Sequence, residues 1–484
     1  PSSPPKTALN RPRNNPNLRR KITMTSVPAA NSTRPEFDSL EQKIARLVAG
    51  PAHPNRDFSI SRYSYRALYG LAESIRREVD EQNAVLCLCT ENKALVAAAL
   101  LAALTEGFTV ILPFADSVAA VEEIGRTVRL SAVVADRVTG FPKKFKVLSP
   151  VPHKGELPER IPAVGLDAPF LKFFTGGSTG KPRMWSKTPR NLFAEAFFHA
   201  RKYRITAEDR ILATVPPYHI YGFLYSVLIP LVSSASVIDA IPTFPEEIRN
   251  CLANQSPTVF ASVPVHYRVL NGTEIPGNSL RHAVSSAGKL DTADADSFTH
   301  AAGVDLIEIY GSTETGGIAD RSRAAGETAL TPFEAVDWKI VDERLRVRSA
   351  FISPDIDTDE EGFFITGDRV APQGKDRFRL LGRADGIVKV GGNRVDLEAI
   401  RDLVIQIEGV EDAVVISLPG AAGRENDICT VVQGDVTAAE IQEFISARLE
   451  PHAIPRRIKI AARIPVSASG KYDRAAIEAL FRPD

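Results

Sequence analysis

The chain has 484 residues, 44% of them hydrophobic and 24% charged, and its 59 basic side chains balance 59 acidic ones. That length exceeds one ordinary core, so two or more domains are expected. Zero net charge gives no sign of a nucleic-acid partner, and no run nears the roughly 18 apolar residues of a membrane span.

In chain order, residues 1–36 are Pro-rich and polar and read as a disordered extension. Lys6, Arg11, Arg13, Arg19, Arg20 and Lys21 stand there with no acid before Met24 and no apolar h-region, which is not the pattern of a secretory signal. The preferred expectation is a leader before a natural start at Met24, with an acid-poor transit peptide as the other reading. From Tyr65 to Val79, Leu68, Leu71, Ile75 and Val79 recur on one helical side. A strand at 85–88, an Ala- and Leu-rich helix at 94–104 and strands at 109–112 and 132–135 follow. Cys87 and Cys89 lie inside an apolar run with no ligand nearby, so they read as core residues in a reducing, cytoplasmic protein.

Leu171 to Phe174 is a strand running into a Gly-rich loop, and 258–263 and 304–309 are further core strands. Near residue 335 the pattern turns to a hairpin, 338–341 with 345–347. After Gly382 a separate unit begins. Asp396 caps a helix bearing Ile400, Leu403, Val404 and Ile407, strands 413–417 and 428–432 follow, and Thr437 to Glu440 is a capping box opening a helix to Leu449. The expected fold is α/β. A large N-terminal domain (37–382) of layered α/β sheets carries a small β-subdomain, and a small mobile α+β C-terminal domain (383–484) follows it.

The loop Thr175-Gly176-Gly177-Ser178-Thr179-Gly180-Lys181-Pro182-Arg183 can present backbone N–H groups, hydroxyls and positive charge to an anion. A plain surface turn is the bland reading. A Walker A loop fails: Gly176 lies too close to Gly180, and Pro182 stands where a Ser or Thr binds Mg²⁺. Gly176 to Gly180 also fits the G-x-S-x-G nucleophile elbow, making Ser178 the nucleophile of a serine hydrolase, with His219, His266, His282, His300 or His452 as base.

The loop resembles the phosphate-binding signature of the acyl-adenylate-forming superfamily of acyl-CoA synthetases, adenylation domains and luciferases, with Arg183 where Lys is usual. The resemblance continues in order through Pro216-Pro217-Tyr218-His219-Ile220-Tyr221-Gly222, Ser285-Ser286-Ala287-Gly288, Tyr310-Gly311-Ser312-Thr313-Glu314-Thr315 and Thr366-Gly367-Asp368. Gly382-Arg383-Ala384-Asp385, Gly391-Gly392-Asn393-Arg394 and Ser469-Gly470-Lys471-Tyr472-Asp473-Arg474 complete it.

This resemblance implies that a carboxylic acid attacks the α-phosphate of ATP and that the acyl-AMP passes its acyl group to a thiol. CoA, or the phosphopantetheine of a carrier protein acting in trans, would be the acceptor. It implies that Lys471, Thr313 and Glu314 are catalytic, with Glu314 as the Mg²⁺ ligand. ATP or AMP would be held by Thr175, Gly176, Gly177, Ser178, Thr179, Gly180, Lys181, Gly288, Tyr310, Asp368 and Arg383. Asp385 would be the hinge, and His219 and Gly316 would border the acyl pocket, where Gly316 and Gly317 leave room for an aromatic ring or a chain. Gly391, Gly392 and Arg394 would face CoA. An aromatic or fatty acid is the expected substrate.

Overall fold

The computed structural model describes residues 38–175, 183–275, 279–390, 393–419, 426–446, 448–449, 453–467 and 470–482. Ser39–Asp484 forms one compact unit. A six-stranded sheet has the order 147–148, 132–135, 85–89, 109–112, 171–175, 183–187; its strands are parallel except for the last. Residues 93–106 form a helix whose central turns are apolar on all sides and which is buried from Lys93 to Thr105. Asn92 caps it by accepting from the N–H groups of Ala94 and Leu95, and Gly107 ends it at φ +73°. Cys87 and Cys89 are buried and free, as expected of core residues.

The strand Leu171–Thr175 pairs antiparallel with Arg183–Lys187, with Thr175 opposite Arg183. The Gly-rich segment therefore links two strands. A nucleophile elbow instead joins a strand to a helix. This connection removes the hydrolase reading of Ser178.

A nine-stranded sheet contains the expected strands near 258–263 and 304–309, observed as Val259–Ser262 and Leu306–Ser312. Leu306–Ser312 pairs antiparallel with Gly316–Ser322, so Thr313, Glu314 and Thr315 form the tip of a hairpin. A four-stranded antiparallel sheet (336–341, 344–349, 364–373, 377–383) is the small β-subdomain. Its first turn uses two residues, Asp342 and Glu343, with φ +52° and +58°, the left-handed pair that a tight hairpin needs.

Beyond it the chain builds hydrophobic clusters of its own, one around Val395, Ile400, Val404, Ile428 and Ile441, the other around Val414, Val431, Ile464 and Ile477. Asp396 caps Leu397–Val404 by accepting from the N–H groups of Glu398 (3.0 Å) and Ala399 (3.3 Å). Thr437 and Glu440 make the expected capping box. Among the described residues no helix is long and apolar enough to cross a membrane.

Candidate active site

The hairpin tip is fixed by its own side chains. The Ser312 N–H donates to Thr315 Oγ1 (3.1 Å), and the Thr315 N–H returns a bond to Ser312 Oγ (3.2 Å). Thr313 and Glu314 are left half-exposed at the apex. From outside, the Ser353 N–H donates to the Glu314 carbonyl at 2.7 Å. At the base of the hairpin, the Tyr310 hydroxyl donates to Asp368 Oδ2 at 2.6 Å, joining two of the ordered motifs in space. Phe378 meets the Tyr310 ring edge-on, at 6.0 Å between centroids. Tyr310, Asp368, Thr366 and Glu314 share one small recess.

Lys471 reaches this region from the C-terminal part of the chain. It lies on a tight turn in which the Ser467 N–H donates to the Lys471 carbonyl (2.7 Å) and Val466 bridges Tyr472. Gly470 has φ +73°, and a Cβ there would lie 3.1 Å from Val265 Cγ1 and 3.2 Å from Val263 Cγ2. Only Gly gives both the left-handed turn and this close approach to the large domain. Desolvation in the cleft lowers the Lys471 pKa, and attraction to Glu314 opposes the shift.

His219 is also within electrostatic reach of Lys471. It begins the short helix Ile220–Phe223, and its ring is 4.8 Å from that of Tyr218. Burial, then repulsion from Lys471, lowers its pKa to about 4, so it is neutral at pH 7. Its Nε2 has no hydrogen-bond partner among the described residues. Gly222 in the same motif is obligatory for packing, since a Cβ would sit 2.1 Å from the Pro216 carbonyl oxygen. Tyr221 donates to the Val284 carbonyl at 2.9 Å and so ties this segment to the strand before Ser285–Gly288.

Gly316 differs from expectation. It has φ +68°, and the space beside it is filled: a Cβ would lie 2.7 Å from Phe351 Cβ and 2.8 Å from Glu195 Oε2. At Gly317 the corresponding atoms are Phe333 Cε2 (2.8 Å) and His199 Nε2 (3.2 Å). These glycines admit a packed helix behind the hairpin and leave no room on that side for a substrate.

Gly176, Gly177, Ser178, Thr179, Gly180, Lys181, Gly391 and Gly392 lie outside the described residues, as do the side chains of Thr175, Arg383, Asp385 and Arg394. The Arg383 backbone is placed opposite Asp368 in the antiparallel ladder. Gly288 is exposed beside Pro264.

Two groups behind the site escaped the sequence reading. Lys187 is fully buried at the end of the strand that follows the Gly-rich loop, and its Nζ donates to the Phe351 carbonyl at 3.2 Å. Burial depresses its pKa to about 8 despite attraction from Glu195, Glu314 and Asp355. Glu195 is buried and accepts from the Gly317 N–H at 2.7 Å, gripping the hairpin from the rear. The only hint was a Lys inside the apolar-flanked stretch Met184-Trp185-Ser186-Lys187.

Comparison with known proteins identifies the scaffold. The family model for AMP-binding enzymes matches residues 58–350, and that for the AMP-binding enzyme C-terminal domain matches 400–471. The chain belongs to the AMP-binding enzyme family. It is an adenylate-forming acid–thiol ligase. Among its relatives, the sulfoacetate–CoA ligase of Cupriavidus necator is 25% identical over 67% of this chain and 69% of that protein. The 4-coumarate–CoA ligase of Halorhodospira halophila is 27% identical over 66% and 78%. In fold, ATP-bound MatB from Rhodopseudomonas palustris superposes with TM-score 0.78 at 18% identity, covering 91% of this chain and 98% of that one. A benzoate CoA ligase from Burkholderia xenovorans gives 0.73 at 18% identity, covering 91% and 100%.

Proposed function

We propose that this protein adenylates an aromatic or fatty monocarboxylic acid and passes the acyl group to CoA, with Lys471 as the principal charge at the reacting centre. The observation that carries the reading is that Lys471, on the C-terminal part, is desolvated in the cleft within electrostatic reach of Glu314 and His219, with the Tyr310–Asp368 pair in the same recess as Glu314. A carboxylate and a triphosphate repel each other. A desolvated ammonium between them stabilises the charge that builds on the α-phosphate as the acid oxygen bonds to phosphorus and the bond to pyrophosphate breaks. Thr313, beside Glu314, is suited to donate to the same phosphate. Asp368 accepts hydrogen bonds from a ribose diol, and Tyr310 beside it and Gly288 are assigned to the adenine. The Gly-rich segment 175–181 and Arg383 complete the nucleotide site in this assignment.

Among the described residues no three His, Cys, Asp or Glu side chains form a metal cluster. A single half-exposed carboxylate such as Glu314 nevertheless fits Mg²⁺, which is commonly held by one or two carboxylates plus substrate phosphates. There the ion would supply charge neutralisation.

For the acid, the wall near His219 is aromatic, with Tyr218 and Tyr221. That wall favours an apolar acyl tail. In the thiol-transfer pose, rotation about Asp385 would bring Gly391, Gly392 and Arg394 towards CoA, and a carrier phosphopantetheine is the competing acceptor.

A pyrophosphate-release screen over benzoates, cinnamates and fatty acids, each with CoA or a loaded carrier, tests this. Preference for a dicarboxylate or a sulfonate would overturn the substrate class. Preference for the carrier would overturn the acceptor.

A further inference from the structure

We infer that Asp412 is a positioning hub for Lys471, and that Arg268 locks this hub to the large domain in the pose that forms the acyl-adenylate. The inference rests on the proposed adenylation role of Lys471.

Asp412 is 4% exposed, on the strand Val410–Pro419 of the C-terminal part. Its Oδ1 accepts from the hydroxyl of Tyr472 at 2.8 Å, the residue next to Lys471. Arg401 Nη2 approaches the same oxygen at 3.3 Å, while its Nε is committed to the Ala413 carbonyl at 2.8 Å. Oδ2 accepts from Arg268 Nη1 at 2.9 Å, across from the large domain. On its own side Arg268 is braced by Asp291 (3.1 Å) and Asp294 (3.2 Å).

The geometry makes this more than a generic domain contact. Arg268 lies on the short helix Pro264–Val269, whose Val265 also meets the face of Gly470. One helix thus touches the residue before Lys471 through apolar atoms, and the residue after it through Asp412. Held on both sides, the Lys471 backbone has little freedom to swing its ammonium away from Glu314. Of the other described ion pairs between the two parts, Lys289–Asp402 at 2.7 Å is more than half exposed on both partners and therefore weak, and Arg369–Asp396 at 2.7 Å holds the cap of the helix Leu397–Val404 rather than the strand that supports Lys471. The Arg268–Asp412 pair is mostly buried. Charge-assisted bonds of that kind are stronger and geometrically selective. The bond spans two bodies and exists only while they are docked, so its loss should penalise the step that needs Lys471 in place and spare the thiol-transfer step.

The test uses the full chain with Arg268→Gln, Arg268→Lys and Tyr472→Phe. Asp412→Asn is the harsher variant, because it leaves buried Arg401 unpaired. Acid-dependent ATP–pyrophosphate exchange reads the first half-reaction, and thioester formation from supplied acyl-AMP reads the second. Docking is read without substrates, by energy transfer between dyes on Asp296→Cys and Glu443→Cys; the native cysteines are all buried. Arg268→Gln is expected to lower exchange about tenfold, with thioester formation changed less than about twofold and a smaller docked fraction. Arg268→Lys should recover part of the exchange, and Tyr472→Phe should lower exchange with docking retained. Equal loss of both half-reactions, or an unchanged docked fraction in Arg268→Gln, overturns the lock. If the unaltered protein exchanges with no acid while Arg268→Gln still undocks, the lock stands and the adenylation reading falls.

Discussion

Gly316→Ala separates a packing glycine from a substrate-facing one. The new methyl group would sit 2.7 Å from Phe351 Cβ and 2.8 Å from Glu195 Oε2. Phe351 is 1% exposed and its Cβ is anchored to backbone, so it cannot swing aside. Glu195 cannot retreat freely either, because its other oxygen holds the Gly317 N–H. Overpacking of this kind destabilises by about 1–3 kcal/mol. The backbone adds strain, since φ is +68° and a left-handed conformation costs an L-residue about 1–2 kcal/mol. The expected loss is together about 2–5 kcal/mol, relieved partly by displacement of the hairpin tip that carries Thr313 and Glu314. Urea unfolding should shift to a lower midpoint. Pyrophosphate exchange should fall by a similar factor for small and bulky acids. An unchanged midpoint with selective loss of bulky acids would refute this reasoning and return Gly316 to the acyl pocket.

Three further outcomes follow from the site. Lys471→Ala should reduce acyl-AMP formation about 10²–10³-fold, as for loss of one transition-state donor, while largely sparing thioester formation from supplied acyl-AMP; equal losses would sink the two-pose assignment. Asp368→Asn removes the carboxylate that Tyr310 donates to and should raise the KM for ATP about tenfold or more, leaving the KM for the acid near its original value. Lys187→Met should change how stability depends on pH, because burial has depressed this ammonium to about 8. The sign follows from proton binding. Below about pH 8 the folded state carries a desolvated charge in full. Between about 8 and the ordinary lysine value of 10.5 the unfolded chain binds more protons, so stability of the unaltered protein rises with pH. The stability of the variant in urea, relative to the unaltered protein, should therefore fall from pH 7 to pH 9.5. A constant offset would show that Lys187 does not titrate as argued.

Periodicity and caps were enough to place many elements. The helix after Asp396, the Thr437–Glu440 capping box and the buried strand with Cys87 and Cys89 appear where local pattern puts them. These signals are local: a cap needs residues three or four positions apart, and a strand needs a short run of apolar side chains. What followed the Gly-rich loop was not legible. Arg183–Lys187 is a strand because it finds an edge beside Leu171–Thr175, a non-local pairing, and that pairing separates a phosphate-type loop from a nucleophile elbow.

The sequence by itself determined the family and the order of its motifs, because their residue types and spacings are carried by the chain directly. Tertiary structure decided which of those residues meet. It brings Lys471 within electrostatic reach of Glu314 and His219, and Tyr310 into a hydrogen bond with Asp368, across long chain separations. It also turned Gly316 from an assumed opening into a packed contact, and revealed Lys187, Glu195, Arg268 and Asp412 as the supports of the site. The physical reason is that motif chemistry is written in single side chains, whereas burial, desolvation and the space beside a glycine depend on what the rest of the chain packs against them.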